Sequence, residues 1–309
     1  YLIEQDDKAL NLRTKIFDHT YNLPFGMAPI GLQGLMWPKA TEILAKASFD
    51  HNIPFILSTV STASIEKISE ITEGKAWFQL YHPSDKKITK DLLKRAEESG
   101  IKTLVILADV PSFGYRPRDI KNGLSMPPKM TLSNLFQILK SPEWAIKTLI
   151  NGQPNFEVLK PYMPKNLNLS QLGKFMDETF SGRLNEEKIK YLRDLWKGNL
   201  VIKGTESLHD VEKAYQLGLN GIIISNHGGR QVDVGQATID SLKSIAPIYN
   251  NKIEIMMDSG IRGGADIARV LAHGANFTFL GRSFMYGVSA LGTKGGNHTI
   301  TMLKKQLTQ

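Results

Sequence analysis

Eight times along the chain, a short apolar run is followed by a stretch with helical periodicity. No other feature limits the fold so strongly. The apolar runs are Pro24–Gly31, Pro54–Thr59, Lys75–Tyr81, Thr103–Asp109, Leu200–Gly204, Gly221–Asn226, Ile253–Gly260 and Phe277–Gly281. The helical stretches lie near Ala40–Asp50, Ser64–Ile71, Lys86–Ser99, Glu186–Trp196, Leu208–Leu217, Ala237–Ile245, Ala265–His273 and Ser283–Ala290. Runs such as Gly221-Ile222-Ile223-Ile224 show no polar alternation, which suits strands buried on both faces of a parallel sheet. Eight strand-then-helix units predict a closed α/β barrel, the (β/α)8 TIM barrel, as one domain over residues 1–309. An open doubly wound sheet is the competing fold, but no G-x-G-x-x-G follows the first strand. A long insertion after strand 4, from about 110 to 197, interrupts the rhythm and exceeds an ordinary βα loop.

The chain has 309 residues, a formal charge of +8 and no cysteine. Disulfides, thiolate metal sites and cysteine nucleophiles are therefore excluded, and no metal site is expected. No run of 18 apolar residues is present, nor a signal-peptide pattern. The positive charge is spread over most helices without an aromatic-basic stripe, which argues against nucleic acid and fits an anionic substrate or lipid. The chain starts at Tyr1 in mid-segment, so a preceding N-terminal piece is expected.

Within the insertion, Pro127-Pro128-Lys129 precedes an amphipathic stretch, Leu132–Ile150, that carries Trp144, Lys140 and Lys147. Pro154, Pro161 and Pro164 mark the piece that follows. An apolar face bordered by lysines suits a lid docked on the barrel rim, or a helix lying in a membrane interface.

In a barrel, the carboxyl ends of the strands converge on one mouth. That places Ala28, Ser58, Gln79, Tyr81, Asp109, Lys203, His227, Arg230, Asp258, Gly260, Arg262, Gly281 and Arg282 together. Asp258-Ser259-Gly260-Ile261-Arg262 and Gly281-Arg282 each set glycine and arginine before a helix, which suits a phosphate. An aspartate such as Asp109 beside His227 would hold one imidazole tautomer and stabilise its cation. Arg230, Arg116 and Tyr81 could clamp a carboxylate, and Lys203 could face negative charge or form a Schiff base. The plain alternatives are a polar turn around His227, rim packing for Tyr81 and a solvated loop charge for Arg116.

Ser225-Asn226-His227-Gly228-Gly229-Arg230-Gln231 resembles the signature of the FMN-dependent α-hydroxy-acid dehydrogenases and oxidases. The similarity runs from Phe25-Gly26-Met27-Ala28-Pro29 to Gly281-Arg282, through Trp77-Phe78-Gln79-Leu80-Tyr81, Gly114-Tyr115-Arg116, Asp119-Ile120-Lys121-Asn122 and Val201-Ile202-Lys203-Gly204. Gly34-Leu35-Met36-Trp37-Pro38-Lys39, Ser141-Pro142-Glu143-Trp144 and Tyr191-Leu192-Arg193-Asp194-Leu195-Trp196 are most similar to the membrane-associated (S)-mandelate and L-lactate dehydrogenases.

The resemblance implies an FMN whose phosphate lies on Gly260, Arg262, Gly281 and Arg282. Asp258 would face the ribityl chain, Ala28, Ser58 and Gln79 would flank the ring, and Lys203 would sit near N1. His227 would be the base, Asp109 its partner, and Tyr81, Arg116 and Arg230 the substrate clamp. An L-2-hydroxy acid would become a 2-oxo acid, by hydride transfer or through a carbanion. Electrons would pass to a quinone or respiratory chain, with a membrane contact at about 125–165. The implied setting is a homo-oligomer, a tetramer by resemblance, peripheral on the cytoplasmic face of the cell membrane.

The alternatives are a soluble oxidase passing electrons to oxygen, an inactive truncated member, and an isomerase or aldolase using Lys203. Three departures stand out. The family's N-terminal segment is missing, Leu107 replaces a usual flavin-contacting threonine, and Val60 stands where oxidases carry tryptophan.

Overall fold

A computed structural model describes residues 10–110, 121, 132–164, 169–180, 184–232 and 234–309. A hairpin of β1 (Thr14–Ile16) and β2 (His19–Tyr21) comes first. The barrel then runs through β3 (Phe25–Met27), α1 (Gln33–Met36), α2 (Ala40–Asp50), β4 (Ile56–Ser58), α3 (Ile65–Thr72), β5 (Trp77–Leu80), α4 (Lys86–Glu98) and β6 (Thr103–Leu107). The insertion contributes α5 (Leu132–Leu139), α6 (Pro142–Asn151), α7 (Leu169–Thr179) and α8 (Glu186–Leu195). The second half comprises β7 (Asn199–Thr205), α9 (Leu208–Gln216), β8 (Gly221–Ile224), α10 (Thr238–Tyr249), β9 (Glu254–Met257), α11 (Gly264–Ala272), β10 (Phe277–Leu280), α12 (Arg282–Leu291) and α13 (Gly295–Thr308).

The eight barrel strands are all parallel, in the order β3-β10-β9-β8-β7-β6-β5-β4. A Met27–Phe55 bridge and the Met27 N–H bond to Pro54 O (2.9 Å) close the sheet. The expected (β/α)8 barrel is therefore what forms. Helix starts follow the local sequence: the side chains of Ser64, Asp85, Asn185 and Ser207 each accept a backbone N–H at the first turn of α3, α4, α8 and α9.

Several boundaries differ from expectation. The run read as a strand over Ile253–Gly260 stops at Met257, because Ser259 and Gly260 turn into the left-handed region (φ 74° and 78°). Helix α10 passes beyond Ile245 to Tyr249 despite Pro247, since Ala246 and Tyr249 extend its buried face. The single amphipathic stretch over Leu132–Ile150 is two helices, and Pro142 starts the second, where a missing N–H costs nothing. The β1–β2 hairpin, α7 and α13 were not anticipated, and three-residue strands are too short to show a period.

One side-chain layer decides where the site can be. Ile56, Trp77, Val105, Val201, Ile223, Met256, Phe277 and Phe279, from seven different strands, pack into one cluster with Ile16 and Tyr21 of the hairpin. Their sequence neighbours join the separate, larger cluster beneath the helices. This alternation marks the first set as the barrel interior. The hairpin plugs one end, where the Trp77 indole N–H donates to the Tyr21 hydroxyl (3.0 Å). Side chains two residues further along each strand occupy the interior at the other end. They are Ser58, Gln79, Leu107, Lys203, Ser225, Asp258 and Gly281.

Candidate active site

A layer of polar side chains above an apolar plug must satisfy its own hydrogen bonds. Lys203, 3% exposed, does so with an ion pair to Asp258 Oδ2 (3.0 Å) and a bond to Ser225 Oγ (2.5 Å). Burial opposes its charge, but Asp258 and Asp109 outweigh that and hold the ammonium above its usual value. Ser259 Oγ donates to Asp258 Oδ1 (2.9 Å) and accepts from the Gly228 N–H (2.9 Å). Ser225 Oγ accepts from the His227 N–H (3.1 Å). Ser225 and Ser259 thereby tie the buried ion pair to the turn that carries His227. Neither role was anticipated, although the two-residue period beyond Ile223 marks Ser225 as inward-facing.

The turn itself is unusual. His227, Gly228 and Gly229 adopt positive φ in succession (56°, 69° and 71°). A histidine held there costs about 1–3 kcal/mol, which surrounding contacts must supply. Besides Ser225 and Ser259, these include the Asn226 side chain, which accepts from Gly229 N–H (3.2 Å), and Arg282 Nη2, which donates to Gly228 O (3.1 Å).

That backbone brings His227 Nδ1 within 3.2 Å of Asp109 Oδ2. An ionised carboxylate only accepts, so Nδ1 carries the hydrogen, and in the neutral ring Nε2 is the nitrogen that has a lone pair. Burial would push the Asp109 carboxyl up, yet the Lys203 ammonium and the His227 N–H hold it below its ordinary value. A β-carbon on Gly204 (φ 96°) would stand 2.5 Å from the Asp109 side chain and 2.8 Å from its backbone nitrogen. Gly204→Ala should therefore destabilise the protein by about 1–3 kcal/mol and dislodge Asp109. Thermal unfolding of the variant checks this.

Gln79 and Ser58 lie in the same layer, both 2% exposed. Among the described residues, Gln79 Nε2 is buried without a hydrogen-bond partner. A β-carbon at Gly260 would meet nothing within 4 Å, so the turn after β9 borders open space. Ser283 Oγ bonds Arg262 O (3.0 Å) and joins that turn to the start of α12, which begins at Arg282 behind Gly281. The Arg262 and Arg230 residues are exposed, and Ala28 is buried against β10, its N–H on Leu280 O (3.0 Å). Tyr81 packs edge-to-face on Phe180 (5.8 Å) in an apolar wall with Val60, Leu107, Phe156, Leu159 and Met176. Arg116 lies outside the described residues.

An orphan amide donor, a buried ammonium and two glycine–arginine helix starts lie at one end of the barrel. This donor set fits a flavin mononucleotide: N–H groups and a cation for a polar ring edge, and helix starts for a phosphate. Comparison with known proteins settles the family. The sequence profile described as FMN-dependent dehydrogenase matches residues 3–309. The chain belongs to the FMN-dependent dehydrogenase family. Its cofactor is accordingly FMN.

Relatives agree. The chain is 36% identical to an L-lactate dehydrogenase of Vibrio parahaemolyticus over 98% of its own length and 80% of the relative's. It is 35% identical to an L-lactate dehydrogenase of Bartonella tribocorum over 97% and 78%. Among solved structures it is similar to the monotopic membrane protein (S)-mandelate dehydrogenase, with TM-score 0.91, 32% identity and coverage of 98% and 80%. A mandelate oxidase superposes with TM-score 0.81 at 28% identity, covering 99% and 79%.

Proposed function

We propose that the protein oxidises an L-2-hydroxy acid, lactate- or mandelate-like, to the 2-oxo acid and passes the electrons to a quinone or respiratory chain. The observation that carries this reading is the His227–Asp109 pair at 3.2 Å, on the same barrel end as buried Lys203. Arg230, Arg116 and Tyr81 hold the substrate carboxylate, a planar fork suiting a planar anion. His227 Nε2 takes a proton from the substrate, while Asp109 keeps the ring oriented and stabilises the cation formed. When bound, FMN supplies the two-electron acceptor. Lys203, locked by Asp258 and Ser225, would supply a fixed positive charge to the bound cofactor. The apolar wall of Val60, Leu107 and Phe180 offers the substrate's side chain a dry surface.

The test is anaerobic absorbance of the purified, FMN-loaded protein with L-lactate and (S)-mandelate added in turn. Bleaching of the flavin band by either acid supports the reading, and the rates rank the substrates. A flavin bleached by neither refutes it.

The acceptor is inferred from α5 and α6. Leu132, Leu135, Phe136, Leu139, Ile146, Leu149 and Ile150 are all exposed there, with Lys140 over the Phe136 ring and Lys147 over Trp37. Seven exposed apolar side chains on two adjoining helices, bordered by lysines, suit the headgroup–acyl boundary of an anionic membrane. The Trp144 indole N–H donates to Leu35 O (3.2 Å), fastening α6 to the barrel beside exposed Leu35 and Met36. No described helix is long and apolar enough to cross a membrane. Burying each large apolar side chain stabilises binding by about 1.5–3 kcal/mol. Phe136→Asp with Leu149→Asp should thus lower affinity for anionic vesicles roughly 100-fold while anaerobic bleaching persists. Vesicle co-sedimentation measures this, and unchanged binding refutes the membrane face.

A further inference from the structure

Arg95, in the last turn of α4, binds part of the insertion to two barrel helices. Its side chain is 15% exposed, and its planar fork is divided between two tasks. Nε and Nη2 donate to the two carboxylate oxygens of Glu66 on α3 (2.7 and 3.1 Å). Nη1 donates to Val158 O (2.9 Å) and to the Tyr162 hydroxyl (3.1 Å), and the guanidinium carbon lies 5.9 Å from the centre of the Tyr162 ring. The Tyr162 hydroxyl in turn donates to the Asp91 carboxylate, one turn earlier on α4. At the start of the same segment the Glu157 N–H donates to Ser61 O (3.1 Å), next to Val60.

What Arg95 grips is the back of the apolar wall. Phe156 and Leu159, 3% and 0% exposed, pack with Val60, Tyr81 and Leu107. Val158, between them, joins the core beneath the helices instead. We infer that Arg95 is a positioning residue for substrate selection. By holding Val158 O and Tyr162, it sets how closely Phe156 and Leu159 approach Tyr81, and so how tightly a large side chain on the 2-hydroxy acid is bound. It acts through the wall and not on the reacting atoms. A phenyl ring buries more apolar surface than a methyl, so a displaced wall costs mandelate more than lactate. The inference rests on the reading of that wall as the surface that receives the substrate's side chain.

Arg95→Lys keeps a charge beside Glu66 but lacks the fork that serves Glu66 and Val158 together. In the FMN-loaded protein, hydrogen exchange of the peptide 156–162 should be roughly tenfold faster in this variant, the scale of one lost hydrogen bond. In stopped-flow anaerobic bleaching, the half-saturating concentration of (S)-mandelate should rise roughly tenfold, the scale on which an apolar pocket discriminates by size. That of L-lactate should stay at its wild-type value. The limiting rate should stay unchanged for both acids, because the His227–Asp109 pair is untouched. Where mandelate bleaches slowly, its inhibition of lactate-driven bleaching gives the same constant. Arg95→Met also deletes the charge and should move exchange and mandelate half-saturation further the same way; Arg95→Lys carries the test if that protein does not fold. Unchanged exchange in Arg95→Lys, or a mandelate-to-lactate ratio that is unchanged or reversed, overturns the inference. If neither acid bleaches the flavin, the proposed function fails, while the exchange measurement still decides whether Arg95 holds the wall.

Discussion

His227→Ala is expected to slow anaerobic flavin reduction by about 10²–10⁴-fold while the protein keeps its FMN and its yellow colour. Among the described residues the imidazole bonds to Asp109 Oδ2, and the Lys203–Asp258–Ser225 network does not depend on it. The loss should fall on the rate of reduction, because an unprotonated Nε2 matters when the proton moves rather than when the substrate docks. Asp109→Asn should give a smaller loss, since an amide can still accept from Nδ1–H but cannot balance an imidazolium charge. Stopped-flow bleaching separates the two variants. A fully active His227→Ala protein would remove the residue from the mechanism, and loss of FMN would show that it has a structural role instead.

Lys203→Met is the second large effect. Lys203 and Asp258 are 4% and 8% exposed at their side chains, so deleting the cation strands a buried carboxylate. Breaking such a pair destabilises a protein by about 3–5 kcal/mol. Lys203→Met with Asp258→Asn should recover much of this, because a neutral pair needs no counter-charge. Denaturant unfolding of FMN-free protein measures both. A single variant as stable as wild type would mean that the pair is not holding the barrel end together. The pH dependence carries its own sign. Because its ammonium is held above the ordinary lysine value, Lys203 stabilises the fold below that value and ceases to do so as pH rises through its raised one. Asp109 works oppositely: its lowered carboxyl contributes above the ordinary aspartate range, and the contribution fades as pH falls through the folded value.

Much of the barrel was legible because its signals are local. Runs such as Thr103–Leu107 lack polar alternation and end in turn chemistry, so strand, helix and order follow from neighbouring residues alone. Helix caps at Ser64 and Ser207 are equally short-range. Where the reading failed, a longer-range contact had decided. The β1–β2 hairpin exists because Ile16 and Tyr21 fill the barrel floor against Trp77 and Phe277. Helix α13 is held by packing of Ile300 and Leu303 in the outer core.

The sequence by itself determined eight strand–helix units, the glycines and arginines at their ends, and the Ser225–Gln231 turn. Each depends on residues a few positions apart. Only the tertiary structure decided the partners: Asp109 Oδ2 on His227 Nδ1 across 118 residues, and Lys203 between Asp258 and Ser225. Those pairings depend on register and on which way each side chain faces once the sheet has closed. Closure is a property of all eight strands together, and no single segment specifies it.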